Sequence, residues 1–163
     1  MTPRNSRNLH TTALTTLGWR EWIALPKLCE MRIKAKVDTG AKTSCLHTFQ
    51  IERFRQRGKD RLRFLIHPYQ NDENTVVECQ APLLDLREVS DSGGHKEQRF
   101  VIETEFCVGS AKIGYQSFDA ELTLTDRDTM RFRMLLGRNA LANRFIIDPA
   151  QSFLLGGDNR AAP

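Results

Sequence analysis

The chain has 163 residues, a mass of 18.7 kDa, 40% hydrophobic and 27% charged residues, a formal net charge of +4 and a sequence pI of about 9.0. That length suits one domain with a real core rather than two, and that composition argues against wholesale disorder. The mild basic excess permits an acidic partner without requiring one. No stretch reaches the length needed to cross a bilayer, and MTPRNSRNLHTTALTTLG lacks the apolar run of a secretory signal, so the expected compartment is the cytoplasm, with no membrane partner. Cys29, Cys45, Cys79 and Cys107 stand far apart, which in a reducing compartment predicts free thiols.

In chain order, residues 1–17 are rich in Thr and Asn and read as a flexible tail. The domain is expected over 18–156, opening on GWREWIAL, with a second flexible tail at 157–163. RIKAKVD alternates Ile33, Ala35 and Val37 with Arg32, Lys34 and Lys36, the period-2 pattern of a half-buried strand. IERFRQRGKDRLRF is the densest basic block and reads as a solvated face or a surface for carboxylates or phosphates. Further strands are expected at LRFLIHP, NTVVECQAP, QRFVIETEFCVG, KIGYQSFDAELTLT, FRMLLG and RFIIDP, with Asn-Asp, Ser-Gly-Gly, Gly-Ser and Asp-Arg-Asp turn signals between them. Only RNALANRF reads as helical. The pattern is all-β, a barrel or sandwich with one short helix near the C-terminus.

One stretch carries chemistry. In KAKVDTGAKTS a strand runs straight into Asp38-Thr39-Gly40-Ala41, placing a carboxylate where a buried strand meets a tight turn. Gly40 permits the turn, the Thr39 hydroxyl can bond to backbone, and Asp38 is presented at its centre. Hydrolysis from such a position takes two carboxylates sharing one proton, one activating water and the other polarising the scissile carbonyl. Asp91-Ser92-Gly93 repeats the pattern within the chain. No apolar strand leads into it, however, and REVSDSGGHKEQ reads as a hairpin tip. Another copy of the chain is the other possible source of a second carboxylate.

VDTGA, followed about a hundred residues later by MLLGRNAL, resembles the retropepsins, the homodimeric aspartic proteases of the retroviral type. The run from GWREW through KAKVDTGAKTSCLH, VVEC, DSGGHKEQRFVI and LTLTDRDTMRFRMLLGRNAL to FIIDP resembles more closely the bacterial RimB-like family. The resemblance implies a closed, retropepsin-like barrel (the acid protease fold), active as a two-fold homodimer in which Asp38 meets its own copy. It assigns catalysis to Asp38, Thr39 and Gly40, room for substrate backbone to Gly40 and Ala41, and a closing flap to Asp91, Ser92, Gly93 and Gly94.

That family also carries the label ATP-dependent zinc protease, which the residues do not support. There is no His-Glu-x-x-His, no pair of Cys-x-x-Cys motifs and no phosphate-binding Gly-x-x-x-x-Gly-Lys-Ser/Thr, and Gly109 to Gly114 reads as a hairpin turn. Cys45, His47, His67, Cys79 and His95 are scattered, so no metal and no cofactor are expected.

Many retroviral-type proteases have an acid after Asp-Thr-Gly-Ala, where it meets the Arg of Gly-Arg-Asn. Here Lys42 takes that position, which leaves Arg138 without its expected partner and points to an acidic ligand. Arg63, His67, Arg99, Arg131 and Arg133 are further candidates for substrate contacts, each with a plain ion pair or exposed strand charge as the competing reading. Members of the resembled family are associated with ATP-grasp ligases that add glutamates to a small-subunit ribosomal protein, which implies an acidic protein tail as substrate and such a ligase as partner. Two alternatives stay open: a binder of acidic tails that does not cut, and a ribosome- or RNA-associated module using the basic block. Phe54 and Phe64 alone could stack bases there, which argues against nucleic acid.

Overall fold

A computed structural model describes residues 13–127 and 129–156. The described residues form twelve strands and one helix: β1 (Thr15–Gly18), β2 (Arg20–Ala24), β3 (Arg32–Val37), β4 (Ser44–His47), β5 (Phe49–Gln56), β6 (Lys59–Ile66), β7 (Val77–Pro82), β8 (Asp85–Ser90), β9 (Lys96–Ser110), β10 (Gly114–Thr125), β11 (Met134–Leu136), α1 (Arg138–Leu141) and β12 (Phe145–Asp148). The architecture is therefore nearly all-β with one short helix. No helix among the described residues is long and apolar enough to cross a membrane.

The main sheet has the order β10-β4-β11-β3-β2-β9-β8, and a further β9–β10 pairing joins its first strand to its sixth. Pairing therefore returns on itself, although β2 meets β9 through the single pair Ala24↔Cys107. β5, β6 and β7 form a separate antiparallel sheet. The alternation that predicts strands also builds the core. Ile33 and Ala35 of β3, and Leu62, Phe64 and Ile66 of β6, are fully or almost fully buried together with Leu46, Ile102, Phe106, Leu122 and Leu124. The four cysteines are free and buried.

The ordered fold starts earlier than composition indicated. Thr15 to Gly18 pair in parallel with Phe145 to Asp148, and Leu17 is fully buried, so residues 15–17 belong to the domain and not to a tail. Polar Thr15 and Thr16 look like tail residues in sequence, but a partner strand from the far end of the chain satisfies their backbone. Residues 1–12 and 157–163, read as tails, lie outside the described residues. The helix is shorter than the sequence indicated, because Ala142 is extended and Asn143 takes a positive φ of 64°. The turn expected at Gly109 to Gly114 is present between β9 and β10, with both glycines at positive φ.

Candidate active site

β11 is inserted between β3 and β4, running parallel to the first and antiparallel to the second. The loop 38–43 that joins β3 to β4 therefore has to pass around the end of β11. Backbone bonds hold it there: Asp38 N donates to Leu136 O at 2.9 Å, Arg138 N to Ala41 O at 2.9 Å and Asn139 N to Lys42 O at 2.9 Å. Gly137, the residue after β11, runs against the Thr43–Ser44 backbone and donates its N–H to Ser44 Oγ at 3.0 Å. The Asp-Thr-Gly turn is thus clamped by the Gly-Arg-Asn segment a hundred residues away.

Within the loop, Asp38 Oδ1 accepts from Gly40 N at 3.1 Å, and Ala41 N donates to Asp38 O at 3.2 Å. This is the Asx-type closure that the residue types favour. Asp38 is half-buried while Thr39 and Gly40 are exposed. A cleft of about 960 Å³ opens beside the loop, lined by Asp38, Gly40, Ala41, Lys42 and Thr43 on the loop and by Ser90, Asp91 and Ser92 where β8 turns toward β9. Cys45, Arg87, Arg99, Glu121, Thr123, Arg127, Met130 and Asn139 complete much of its wall.

The structure places the sequence candidates unevenly. Asp38, Gly40, Ala41, Lys42, Asp91, Ser92 and Arg99 line the cleft. Thr39 does not line it, and its carbonyl instead accepts from Arg138 Nη1 at 2.9 Å. Gly93 and Gly94 make the hairpin tip beyond the lining residues, with Gly94 at a φ of 81°. His67 lies elsewhere, its ring stacked on Phe49 with centroids 4.4 Å apart. Arg63 is held by Glu52 and Glu78 in exposed pairs. Arg131 and Arg133 line a separate groove of about 700 Å³ with Asn71, Glu73, Asn74, Thr129 and Met130. Alternation along a strand gave no way to tell a cleft-facing arginine from one facing a neighbouring groove.

Asp91 is engaged within its own hairpin turn. Its Oδ1 accepts from Gly93 N and His95 N, both at 2.9 Å, and its Oδ2 lies 3.7 Å from Arg127 Nη2. The His95 backbone N–H, followed by that of Gly93 and the charges of His95 and Arg127, holds its carboxyl below the usual carboxylate range. An acid so occupied closes its own turn, as the hairpin reading required.

The cation argument from the sequence needs correction. Arg138 is not left without a partner, since it binds the Thr39 carbonyl. Nor is Lys42 remote from acids: Glu121, half-buried in the cleft, feels its charge. Arg87 grips Glu121 through both terminal guanidinium nitrogens, with Nη2 donating to Oε1 at 2.9 Å, and its Nε donates to Asp85 Oδ2 at 2.7 Å. Those bonds, Arg87 first, hold Glu121 below its ordinary range. Arg99 is bonded to Glu97 Oε2 at 2.9 Å and lies 3.6 Å from Cys45 Sγ. The lining carries Lys42, Arg87, Arg99 and Arg127 against Asp38, Glu88, Asp91 and Glu121, four charges of each sign, so the cleft of one chain is balanced and not basic. The pairing of Arg87 with Glu121 spans 34 residues on strands not adjacent in the sheet, and no local sequence signal marks it.

Among the described residues, no three His, Cys, Asp or Glu side chains converge as metal ligands would. His47 illustrates why: it is fully buried, and its Nδ1 accepts from Arg127 N at 3.1 Å.

Comparison with solved structures shows the same fold in a Legionella pneumophila protein described as of unknown function, with a TM-score of 0.70, 24% identity, and coverage of 88% of this chain and 99% of that one. Among curated proteins, the chain is 46% identical over 140 residues to a "Probable alpha-L-glutamate ligase" of Desulfotalea psychrophila and 40% identical over 143 residues to a protein of the same name from Shewanella halifaxensis. These matches cover 86% and 88% of the chain but only 29% and 30% of the relatives, so the chain spans under a third of their length. Residues 16–156 match the family model RimB-like, described as "Retropepsin-like aspartic endopeptidase RimB", and the chain belongs to that family.

Proposed function

We propose that the protein is an aspartic peptidase whose active site forms when two copies bring their Asp38 loops together about a two-fold axis. The supporting observation is the clamped Asp38 turn, which presents one half-buried carboxylate at a cleft whose other nearby acids, Asp91 and Glu121, are already engaged. A two-fold axis beside this turn supplies the missing carboxylate from the partner, and exposed Thr39 and Gly40 lie where the two loops would meet. The strand pairings that return on themselves are the closed barrel of each protomer in this reading.

The chemistry balances within the pair. The ionised carboxylate takes a proton from a water molecule as its oxygen attacks the peptide carbonyl, and the protonated one hydrogen-bonds the carbonyl oxygen as it becomes tetrahedral. A proton then passes to the amide nitrogen, the C–N bond breaks, and the pair again shares one proton. The β8–β9 hairpin closes over the bound peptide.

Acidic, glutamate-bearing tails are the proposed substrate. Relatives named for glutamate ligation contain a segment like this chain, and Lys42 is the cleft cation with no ion pair among the described residues. An ATP-grasp glutamate ligase is the matching partner, bringing ATP chemistry to the ligase and not to this domain. In the basic block, Arg53 and Arg55 approach Asp60, and Arg63 approaches Glu52 and Glu78, which leaves less free charge for phosphates than the sequence alone indicated.

The test is mass spectrometry of a peptide with an oligo-glutamate C-terminus after incubation with the protein, alongside Asp38→Asn and a chelator. Shortening that persists with chelator and vanishes in Asp38→Asn is expected. A peptide intact in every sample, with binding unaffected by Asp38→Asn, would instead make the protein a binder of acidic tails.

A further inference from the structure

The second groove carries an unused feature. Arg133 is only 6% exposed, and its Nε finds no hydrogen-bond partner. Arg131, two residues earlier, is exposed, and neither guanidinium has an ion pair among the described residues. Glu73 is the acid on the lining and is itself in no ion pair there, while Asp72 is occupied by Asn74 N, Thr75 N and the Thr75 hydroxyl. A desolvated guanidinium with no carboxylate partner among the described residues is an arrangement suited to an anionic ligand.

Position relates this groove to the cleft. Met130 lines both. Arg133 directly precedes β11, whose last residue, Leu136, accepts the backbone N–H of Asp38. Three residues of extended chain separate Arg133 from Leu136, about 10 Å at strand spacing. An extended peptide bound at Asp38 covers that distance in about three residues.

We infer that the Arg131–Arg133 groove is a carboxylate-binding subsite that reads an acidic side chain of a bound peptide about three residues from the bond held at Asp38. The inference rests on the peptidase reading for where the peptide lies, and gives that peptide an acidic position away from the bond being cut. Two guanidiniums, presented from the bend that leads into β11, provide the planar forks that carboxylates pair with. The groove thus adds a second acidic contact to the one that Lys42 offers in the otherwise charge-balanced cleft around Asp38.

The experiment measures affinity apart from cleavage. The Asp38→Asn protein is titrated against fluorescent hexaglutamate and hexaglutamine peptides, alone and combined with Arg131→Gln, with Arg133→Gln, or with Arg57→Gln on the distant β5–β6 hairpin. Each arginine change in the groove is expected to weaken hexaglutamate binding about tenfold, with hexaglutamine unaffected and Arg57→Gln without effect. Arg131 is exposed, so its variant reports on the groove even where Arg133→Gln disturbs folding. Unchanged hexaglutamate affinity in Arg131→Gln overturns the inference, as does displacement of the peptide by inorganic phosphate as readily as by free oligo-glutamate. If wild-type protein cuts nothing while binding still depends on these arginines, the peptidase reading falls and the groove assignment stands. Cleavage with arginine-independent affinity gives the reverse.

Discussion

Gly137 passes so close to Thr43 that a Cβ on the glycine would lie 2.5 Å from the Thr43 carbonyl carbon. The contact joins the end of β11 to the loop carrying Asp38, and both sides of it are backbone, which cannot swing away. Gly137→Ala is therefore expected to displace the loop, costing at least about 2 kcal/mol in chemical denaturation and most of any activity. A variant with wild-type stability would mean that the clamp is looser than its geometry indicates.

Ser44→Ala probes the same clamp from the other side. Ser44 is fully buried, and its Oγ accepts the Gly137 N–H at 3.0 Å. Removing the hydroxyl leaves that donor unsatisfied, at a cost of about 1–3 kcal/mol in urea unfolding.

Glu21 provides a pH signature. It is fully buried, and its carboxylate accepts the backbone N–H groups of Gly18, Leu154 and Leu155, fastening residues 154 and 155 to the start of the fold. Burial raises its pKa above the usual glutamate value of 4.5, and the three N–H groups only partly oppose this. The folded state then holds the proton more tightly than the unfolded one. This group's contribution is fully present below about pH 4.5, falls as pH rises toward the higher folded value, and is level above it. Glu21→Gln should flatten that decline in urea titrations across this window, while Glu21→Ala, which strands three N–H groups, should destabilise at every pH.

Lys42→Glu tests the cleft. Lys42 is exposed, lines the Asp38 cleft and is near enough to Glu121 to affect it. Charge reversal should lower kcat/KM for glutamate-rich peptides about tenfold while sparing neutral ones. Equal loss on both would assign Lys42 to loop structure.

What could be read from sequence follows from how local each feature is. β3, β6, β9 and β10 announce themselves by alternation, since a half-buried strand writes its burial into every second residue. The Asp38 turn and the hairpin at Asp91 follow from residue chemistry within a few positions. By contrast β4, SCLH, is buried at all four positions and has no alternation, and β1 is a strand only because β12 pairs with it. β8, exposed or half-buried throughout, lacks the apolar face that would mark it. The charge balance of the cleft depends on Arg87 reaching Glu121 across the fold, and the diversion of Arg131 and Arg133 to a second groove depends on where the chain turns after β10. The family match spans residues 16–156, while the contacts that line the cleft and the second groove are tertiary.

The measurement that bears most directly on the central claim is a subunit-mixing titration. Wild-type and Asp38→Asn chains are combined in varying proportion, allowed to exchange, and assayed for shortening of an oligo-glutamate peptide. If catalysis takes one Asp38 from each of two copies, the rate falls as the square of the wild-type fraction. A rate that falls in direct proportion to that fraction would mean that each chain cuts alone, and would contradict an active site shared across a two-fold axis.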